Sequence, residues 1–245
     1  MGKKGRMIRK FATTTATATL ALAAALTLTG ATKPSRPAPR IANWAVTGTA
    51  TPEGYHILGN PAAKLRLVEF VSYTCPHCSH FEVESEGQLK LGMVGPGKGA
   101  VEVRNFVRDP IDMTVALITN CVPANRFFTL HTAFMRSQPQ WIGPLTNSTT
   151  AQRQRWTTGA FASRTRAIAS DFKFYEFMAA RGMDRPTMDR CLANEALANK
   201  LAAQTDDAVE KLGVTGTPSF MIDGVLLAGT HDWASLKPQI LARLD

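Results

Sequence analysis

Four consecutive residues, Cys75, Pro76, His77 and Cys78, carry the most chemically specific pattern in the chain. On a helix, cysteines at this spacing lie one turn apart, close enough for one sulfur to resolve a bond made by the other. The run Leu65 to Thr74 before them is apolar and rich in β-branched residues, as a buried strand requires. Ser79 to Leu91 has helical propensity and no proline. Cys75 is therefore expected at a strand-to-helix junction, its sulfur near a helix N-terminus. Unpaired backbone N–H groups and the helix dipole favour a thiolate there. Cys75 reads as an exposed attacking thiol of low pKa, and Cys78 as the thiol that resolves it. The same spacing fits half of a zinc site. The other two cysteines, Cys121 and Cys191, are far apart in sequence, and no metal is expected.

His77 lies between the two cysteines. As a donor or partial cation it would stabilise the Cys75 thiolate more than the uncharged disulfide, which makes the oxidised form a stronger oxidant. The alternative is a solvated loop histidine. His56, His80, His131 and His231 have no comparable partner in the sequence and read as ordinary. Glu69 stands six residues before Cys75 inside the apolar strand. Strand alternation puts Val68 and Phe70 on one face and Leu67, Glu69 and Val71 on the other. A carboxylate buried there has its pKa raised by desolvation; a glutamate at the strand edge would instead reach water.

Around these residues the chain divides into three stretches. Asn43 to Gly59 reads as a polar lead-in, and the first strand as about Lys64 to Thr74. A glycine-rich turn at Gly95 to Gly99 precedes a second strand at Ala100 to Arg108. A β-α-β unit of this length implies parallel strands. From about Ile111 to Asn199 the apolar residues recur at helical spacing, with Pro123 and Pro186 at first-turn positions and Gly182 as a stop. Another helix, Ala196 to Leu212, ends at Gly213. Strands are expected at Ser219 to Asp223 and Val225 to Gly229, and a last helix at Asp232 to Leu244. An inserted block must leave and re-enter the sheet at neighbouring points, so Cys121 and Cys191, near its two ends, are expected to form a structural disulfide. Two buried free thiols are the alternative. The aromatic residues of the block read mostly as core, and some could line a peptide groove.

A length of 245 residues with 44% hydrophobic content is enough for a substantial core. The net charge of +9 does not indicate nucleic acid. Eight basic residues and no acid lie in positions 1–40, leaving 20 basic against 19 acidic residues in the rest. Five positive residues precede Phe11, an uncharged stretch follows to Thr32, and its centre, Leu20 to Leu28, is rich in Ala and Leu. This is the pattern of an export signal; an uncleaved membrane tether through residues 11–32 is the alternative. Ala31 stands where a lipoprotein box needs cysteine. Lys33 to Pro39 holds three prolines and reads as a linker. Export places the thiols where disulfides persist.

Cys75-Pro76-His77-Cys78 together with Gly213-Val214-Thr215-Gly216-Thr217-Pro218-Ser219-Phe220 resembles the DsbA family of exported thiol:disulfide oxidoreductases, within the thioredoxin superfamily. The resemblance covers about residues 55–245 and implies an α/β thioredoxin fold with an inserted all-helical domain. The expected parts are a signal or anchor at 1–32, a Pro-rich linker and lead-in at 33–52, the first part of the sheet domain at 53–110, the helical domain at 111–199 and the second part at 200–245. It further implies a cis bond at Thr217-Pro218 opposite the cysteines, with the Thr217 backbone free to pair with an extended substrate. Glu69 would sit beneath the cysteines as proton acceptor for Cys78. No cofactor is implied. The partners would be reduced, unfolded exported proteins and a membrane quinone-linked oxidase that renews the disulfide, in the periplasm or an equivalent compartment. Pro76-His77 leans toward an oxidase, while Thr217 is compatible with an isomerase or a dedicated reductase. A non-catalytic peptide-binding chaperone would use the same groove.

Overall fold

In the computed structural model, residues 43–244 are described. A 3-10 turn at Trp44–Val46 leads into β1 (Gly48–Ala50) and β2 (His56–Gly59), and then the central strand β3 (Leu65–Val71). Helix α1 (Pro76–Leu89) ends in a π-helical turn, Lys90–Val94, before β4 (Gly99–Asn105). The helical block holds α2 (Pro110–Asn120), α3 (Ala124–Arg136), the single turns α4 (Gln138–Trp141) and α5 (Pro144–Asn147), α6 (Thr150–Thr157), α7 (Phe161–Asp171), α8 (Phe174–Ala179) and α9 (Arg185–Leu192). Helix α10 (Glu195–Glu210), strands β5 (Ser219–Ile222) and β6 (Val225–Leu226), and α11 (Trp233–Leu244) follow.

The strands form one sheet in the order β1-β2-β4-β3-β5-β6. Only β3 and β4 are parallel to each other, and Glu69 sits level with Val103 on β4 and Phe220 on β5. The alternation in β3 divides the interior as expected. Leu67 and Val71 join the large core beneath α1, α3 and α11, and that core continues into the helical block. Val68 and Phe70 join a smaller core with Ala208, Val214 and Met221, covered by α10. Each such apolar side chain, fully buried, contributes about 1.5–3 kcal/mol. The aromatic residues of the block pack on one another: Trp141 lies 5.2 Å from Phe174, and Phe134 5.5 Å from Phe174, both edge-on.

The polar lead-in expected over 43–59 differs from what is found, because it contains the hairpin β1–β2. Strand β2 is short and of mixed polarity, and it is held from outside: it pairs antiparallel with β4, and His56 stacks on Phe127 at 3.7 Å and bonds Asn120 at 2.9 Å. Such a strand has no recognisable pattern until its partners are known. Strand β4 stops at Asn105 rather than Arg108, because the chain turns there to let the Asp109 carboxylate cap α2, accepting from the N–H groups of Ile111 and Asp112. Helix α10 runs across residue 199, where the helical block was expected to end. Cys121, at the end of α2, is disulfide-bonded to Cys191 on α9, with Cα atoms 5.7 Å apart. No helix among the described residues is long and apolar enough to cross a membrane. The expected signal or tether at 1–32 and the linker at 33–39 lie outside the described residues.

Candidate active site

Cys75 is the N-cap of α1, with extended backbone angles, and Pro76 occupies the first helical position. Proline suits that position because its missing N–H would have no intrahelical partner. Cys75 thereby takes the place a serine or aspartate fills at other helix starts, facing the N–H groups two and three residues on. The Cys78 thiol, the Thr217 side chain and the backbone N–H groups of Cys78 and His77 favour the thiolate and hold Cys75 down at about 5, although burial works against them. Burial pushes the Cys78 thiol well up, and the neighbouring Cys75 sulfur adds to the effect. The two thiols are thus driven apart: one is a thiolate at neutral pH, the other a protonated thiol. Both are free cysteines. The other two cysteines are bonded to each other and so cannot complete a zinc site with them.

The expectation of an exposed attacking thiol needs correction. Cys75 is only 2% exposed, because its notch at the start of α1 is closed by the proline loop: Cys75 Sγ lies 3.2 Å from the Thr217 carbonyl oxygen, to which the thiol donates while it is protonated. The Thr217-Pro218 bond is cis. The Thr217 hydroxyl is buried without a hydrogen-bond partner among the described residues, an available donor beside the Cys75 sulfur. The His77 side chain is exposed on the first turn of α1, and it is the backbone N–H of His77 that acts on Cys75.

Two side chains that sequence reasoning passed over hold this arrangement from a distance. Gln138, on α4, is buried and donates to the carbonyls of both Tyr73 (2.6 Å) and Cys75 (2.9 Å), fixing the turn between β3 and α1. His231 bonds the Pro218 carbonyl at 2.8 Å and anchors the proline loop, so it is not the unpartnered histidine that its sequence context indicated. Neither has a local signal, since each meets its partner only through the fold.

Glu69 is 3% exposed, which excludes a strand-edge glutamate reaching water. It lines a cavity of about 30 Å³ with Glu82, His131 and Thr132, and with Leu58 and Phe128 as apolar wall. Glu82 lies one turn beyond Cys78 on the buried face of α1. Burial raises Glu69 well above the usual carboxylate range, with Glu82 adding to it, and burial raises Glu82 as well. Thr132 donates to Glu82 at 2.6 Å. His131 is also far from ordinary. It is 2% exposed, its Nδ1 lies 3.1 Å from the Tyr73 hydroxyl, and burial holds it down at about 4, hence neutral. Tyr73 N–H donates to Asp112 at 2.7 Å, and burial brings the Asp112 carboxyl up to about 7. Glu69, Glu82, His131 and Asp112 are thus four buried titratable groups, on β3, α1, α3 and α2 in turn.

A family model described as thioredoxin matches residues 51–242. The chain belongs to the thioredoxin family. The crystal structure of a protein-disulfide isomerase from Novosphingobium aromaticivorans is 83% identical, covering 78% of this chain and 97% of that one, with a TM-score of 0.77. Alpha-DsbA1 of Wolbachia pipientis, 20% identical, covers 77% of this chain and 89% of its own with a TM-score of 0.62, so the fold is DsbA-like. A Rickettsia conorii protein that carries the name protein-disulfide oxidoreductase is 26% identical over 170 residues, 69% of this chain and 53% of the relative. The chain spans about half the length of the curated relatives it matches.

Proposed function

We propose that this protein is a thiol:disulfide oxidoreductase that donates the Cys75–Cys78 disulfide to reduced exported polypeptides. The observation that carries the proposal is the opposed pair of thiols, with Cys75 held down at about 5 and Cys78 pushed up by burial, facing the cis-proline loop. A client thiolate attacks Cys75 Sγ. The Cys75–Cys78 bond breaks, its electron pair goes to Cys78, and a mixed disulfide forms at Cys75. Cys78 then takes a proton, a step assigned to Glu69, whose carboxyl burial raises well above the usual carboxylate range. A second client thiolate attacks the client sulfur of the mixed disulfide and expels Cys75 as a thiolate. The client loses two electrons, and the enzyme leaves reduced. A leaving thiol of low pKa departs fast, and its stabilised thiolate favours the reduced enzyme, which makes the oxidised form a strong oxidant. The Thr217 backbone, beside Cys75, is the strand to which the client pairs. Reoxidation returns two electrons to a membrane quinone-linked oxidase, with Glu69 accepting the Cys78 proton. The compartment is the periplasm or its equivalent, and the basic, uncharged-cored segment at 1–32 is the export signal.

Thr217 and the isomerase description of the Novosphingobium aromaticivorans protein favour a second reading, in which the reduced enzyme reshuffles wrong disulfides. One experiment separates the readings. Oxidised protein mixed with a reduced two-cysteine peptide should oxidise it rapidly and stoichiometrically, and Cys75→Ser should abolish this. If the peptide stays reduced, or the potential lies near the roughly −270 mV of thioredoxin, the protein is a reductase. Rescue of a scrambled substrate by the reduced protein alone would favour the isomerase.

A further inference from the structure

We propose that the cavity between the β4–α2 turn and helices α6 and α7 is a specificity pocket for an acidic side chain of the client, close to the client cysteine. The inference rests on the oxidoreductase reading above and adds to it which clients are preferred. The cavity is open and has a volume of about 320 Å³. Strands β3 and β4 are parallel, so both end on the side of the sheet where Cys75 lies, and β4 leads directly into the cavity wall at Val107–Pro110. The proline loop enters β5, on the other flank of β3. Cys75 therefore stands between the proline loop and the cavity. Asp109 lines the cavity and accepts from the Thr74 hydroxyl at 2.6 Å, one residue before Cys75. A client strand that pairs at Thr217 and crosses Cys75 continues toward this cavity.

The charge of the cavity selects the occupant. Arg108 and Arg164 both line it, against apolar Met113, Trp156, Phe161 and Ile168. Arg108 is exposed. The Arg164 Nε is buried without a hydrogen-bond partner among the described residues, and its guanidinium lies 5.8 Å from the Phe161 ring centre. The one lining acid, Asp109, is spent: one oxygen accepts from the Ile111 and Asp112 N–H groups and the other from Thr74. Asp112 behind it is 1% exposed and engaged by the backbone N–H groups of Tyr73 and Arg108. A guanidinium with an unpaired donor, an apolar floor and no free acid fits a carboxylate, which accepts from two N–H groups at once. A client lysine there would meet two like charges.

The test uses acetylated, amidated single-cysteine peptides with one Glu placed in turn at each of the five positions on either side of the cysteine, and matched Ala and Lys versions. Mixed-disulfide formation with the oxidised protein is followed by acid quench and mass spectrometry. The readout is the Glu/Ala rate ratio within one protein, which cancels any general change in the redox pair. The intrinsic effect of Glu on the peptide thiol is the same for every protein and cancels between them. For the unmodified protein the ratio should reach about tenfold on one side of the cysteine, with Lys below Ala, and should shrink in high salt. Arg164→Gln should bring it near the intrinsic value, and Arg108→Gln, an exposed change that leaves the interior intact, should lower it. Equal ratios in the unmodified protein and both variants overturn the pocket, while rapid exchange with all peptides leaves the oxidoreductase reading standing. Absence of reaction with every peptide overturns both.

Discussion

Raising the pH from 4 to 7 should drive the reduced protein from dithiol to thiol–thiolate, and the redox equilibrium measures that change directly. Cys75 is held at about 5, while Cys78 keeps its proton throughout. Glutathione, an ordinary thiol with a pKa near 8.5, also keeps its proton over this range. Oxidised protein plus two glutathiones therefore gives reduced protein, glutathione disulfide and, above the Cys75 midpoint, one released proton. The equilibrium constant grows with pH as one plus the ratio of thiolate to thiol at Cys75. For a midpoint of 5 that is about a hundredfold between pH 4 and 7, and a midpoint one unit higher leaves about tenfold. Expressed as potential, the slope of the protein couple should be about −30 mV per pH unit above the midpoint and about −59 below it, since each proton in a two-electron couple contributes about 29.6 mV. The sign is fixed: relative to glutathione, the protein becomes more oxidising as pH rises. The assay equilibrates the protein in glutathione buffers at each pH, traps thiols with acid and alkylating agent, and counts modified cysteines by mass. A constant that stays flat from pH 4 to 7, with a slope of −59 mV throughout, would mean that Cys75 titrates as a free thiol, and the argument from the helix N-cap would fail.

Glu69→Gln should keep the fold and slow peptide oxidation about a hundredfold or more, and it should remove a pH dependence of the Cys78 step that lies above the usual carboxylate range; unchanged profiles would return Glu69 to a packing role. Replacing Cys121 and Cys191 together by Ala opens a closed loop spanning 70 residues and should lower the urea midpoint by an amount corresponding to at most about 4 kcal/mol; in the unmodified protein this bond should need harsher reduction than Cys75–Cys78. His131, held at about 4 from a usual 6.5, is neutral in the fold but takes a proton in the unfolded chain. Stability contributed by the neutral ring is complete above pH 6.5 and is lost as pH falls toward 4, by up to about 3 kcal/mol; the raised carboxyls Glu69, Glu82 and Asp112 act in the opposite sense, so His131→Gln should tilt the denaturation profile toward greater relative stability in acid. His231→Ala frees the Pro218 carbonyl and should slow peptide exchange about two- to tenfold with little change in melting temperature.

What the sequence discloses about this site follows from how far apart the interacting residues lie. The Cys75 thiolate is favoured first by the Cys78 thiol and then by N–H groups two and three residues away, and a strand followed by Cys-Pro-His-Cys at a helix start is enough to infer those local contributions. That Glu69 shares a face with Leu67 and Val71 follows from alternation within one strand, whereas its burial does not, since both faces of that strand are covered. The Gly213 to Phe220 run identified the proline loop only through its resemblance to a known family, because nothing in its composition says that it faces residue 75. Where partners come from distant elements, the pattern reports burial and nothing more. His131 sits in a helix whose buried face is otherwise aromatic and aliphatic, so it reads as filler until Tyr73, 58 residues earlier, supplies a hydroxyl. Gln138 follows a helix end and reads as surface until two carbonyls more than 60 residues earlier accept its amide. Strand β2 is likewise defined by β4, not by its own four residues. The same distinction explains the burial of Cys75, which sequence reasoning reversed. The acidity of Cys75 is set first by Cys78, close in sequence, with the Thr217 side chain adding to it, but its burial comes from Thr217, 142 residues later. A client must therefore compete with the Thr217 carbonyl for the space over the sulfur. That is the carbonyl the proposed mechanism offers to the client backbone, so approach to the thiol and strand pairing become a single event.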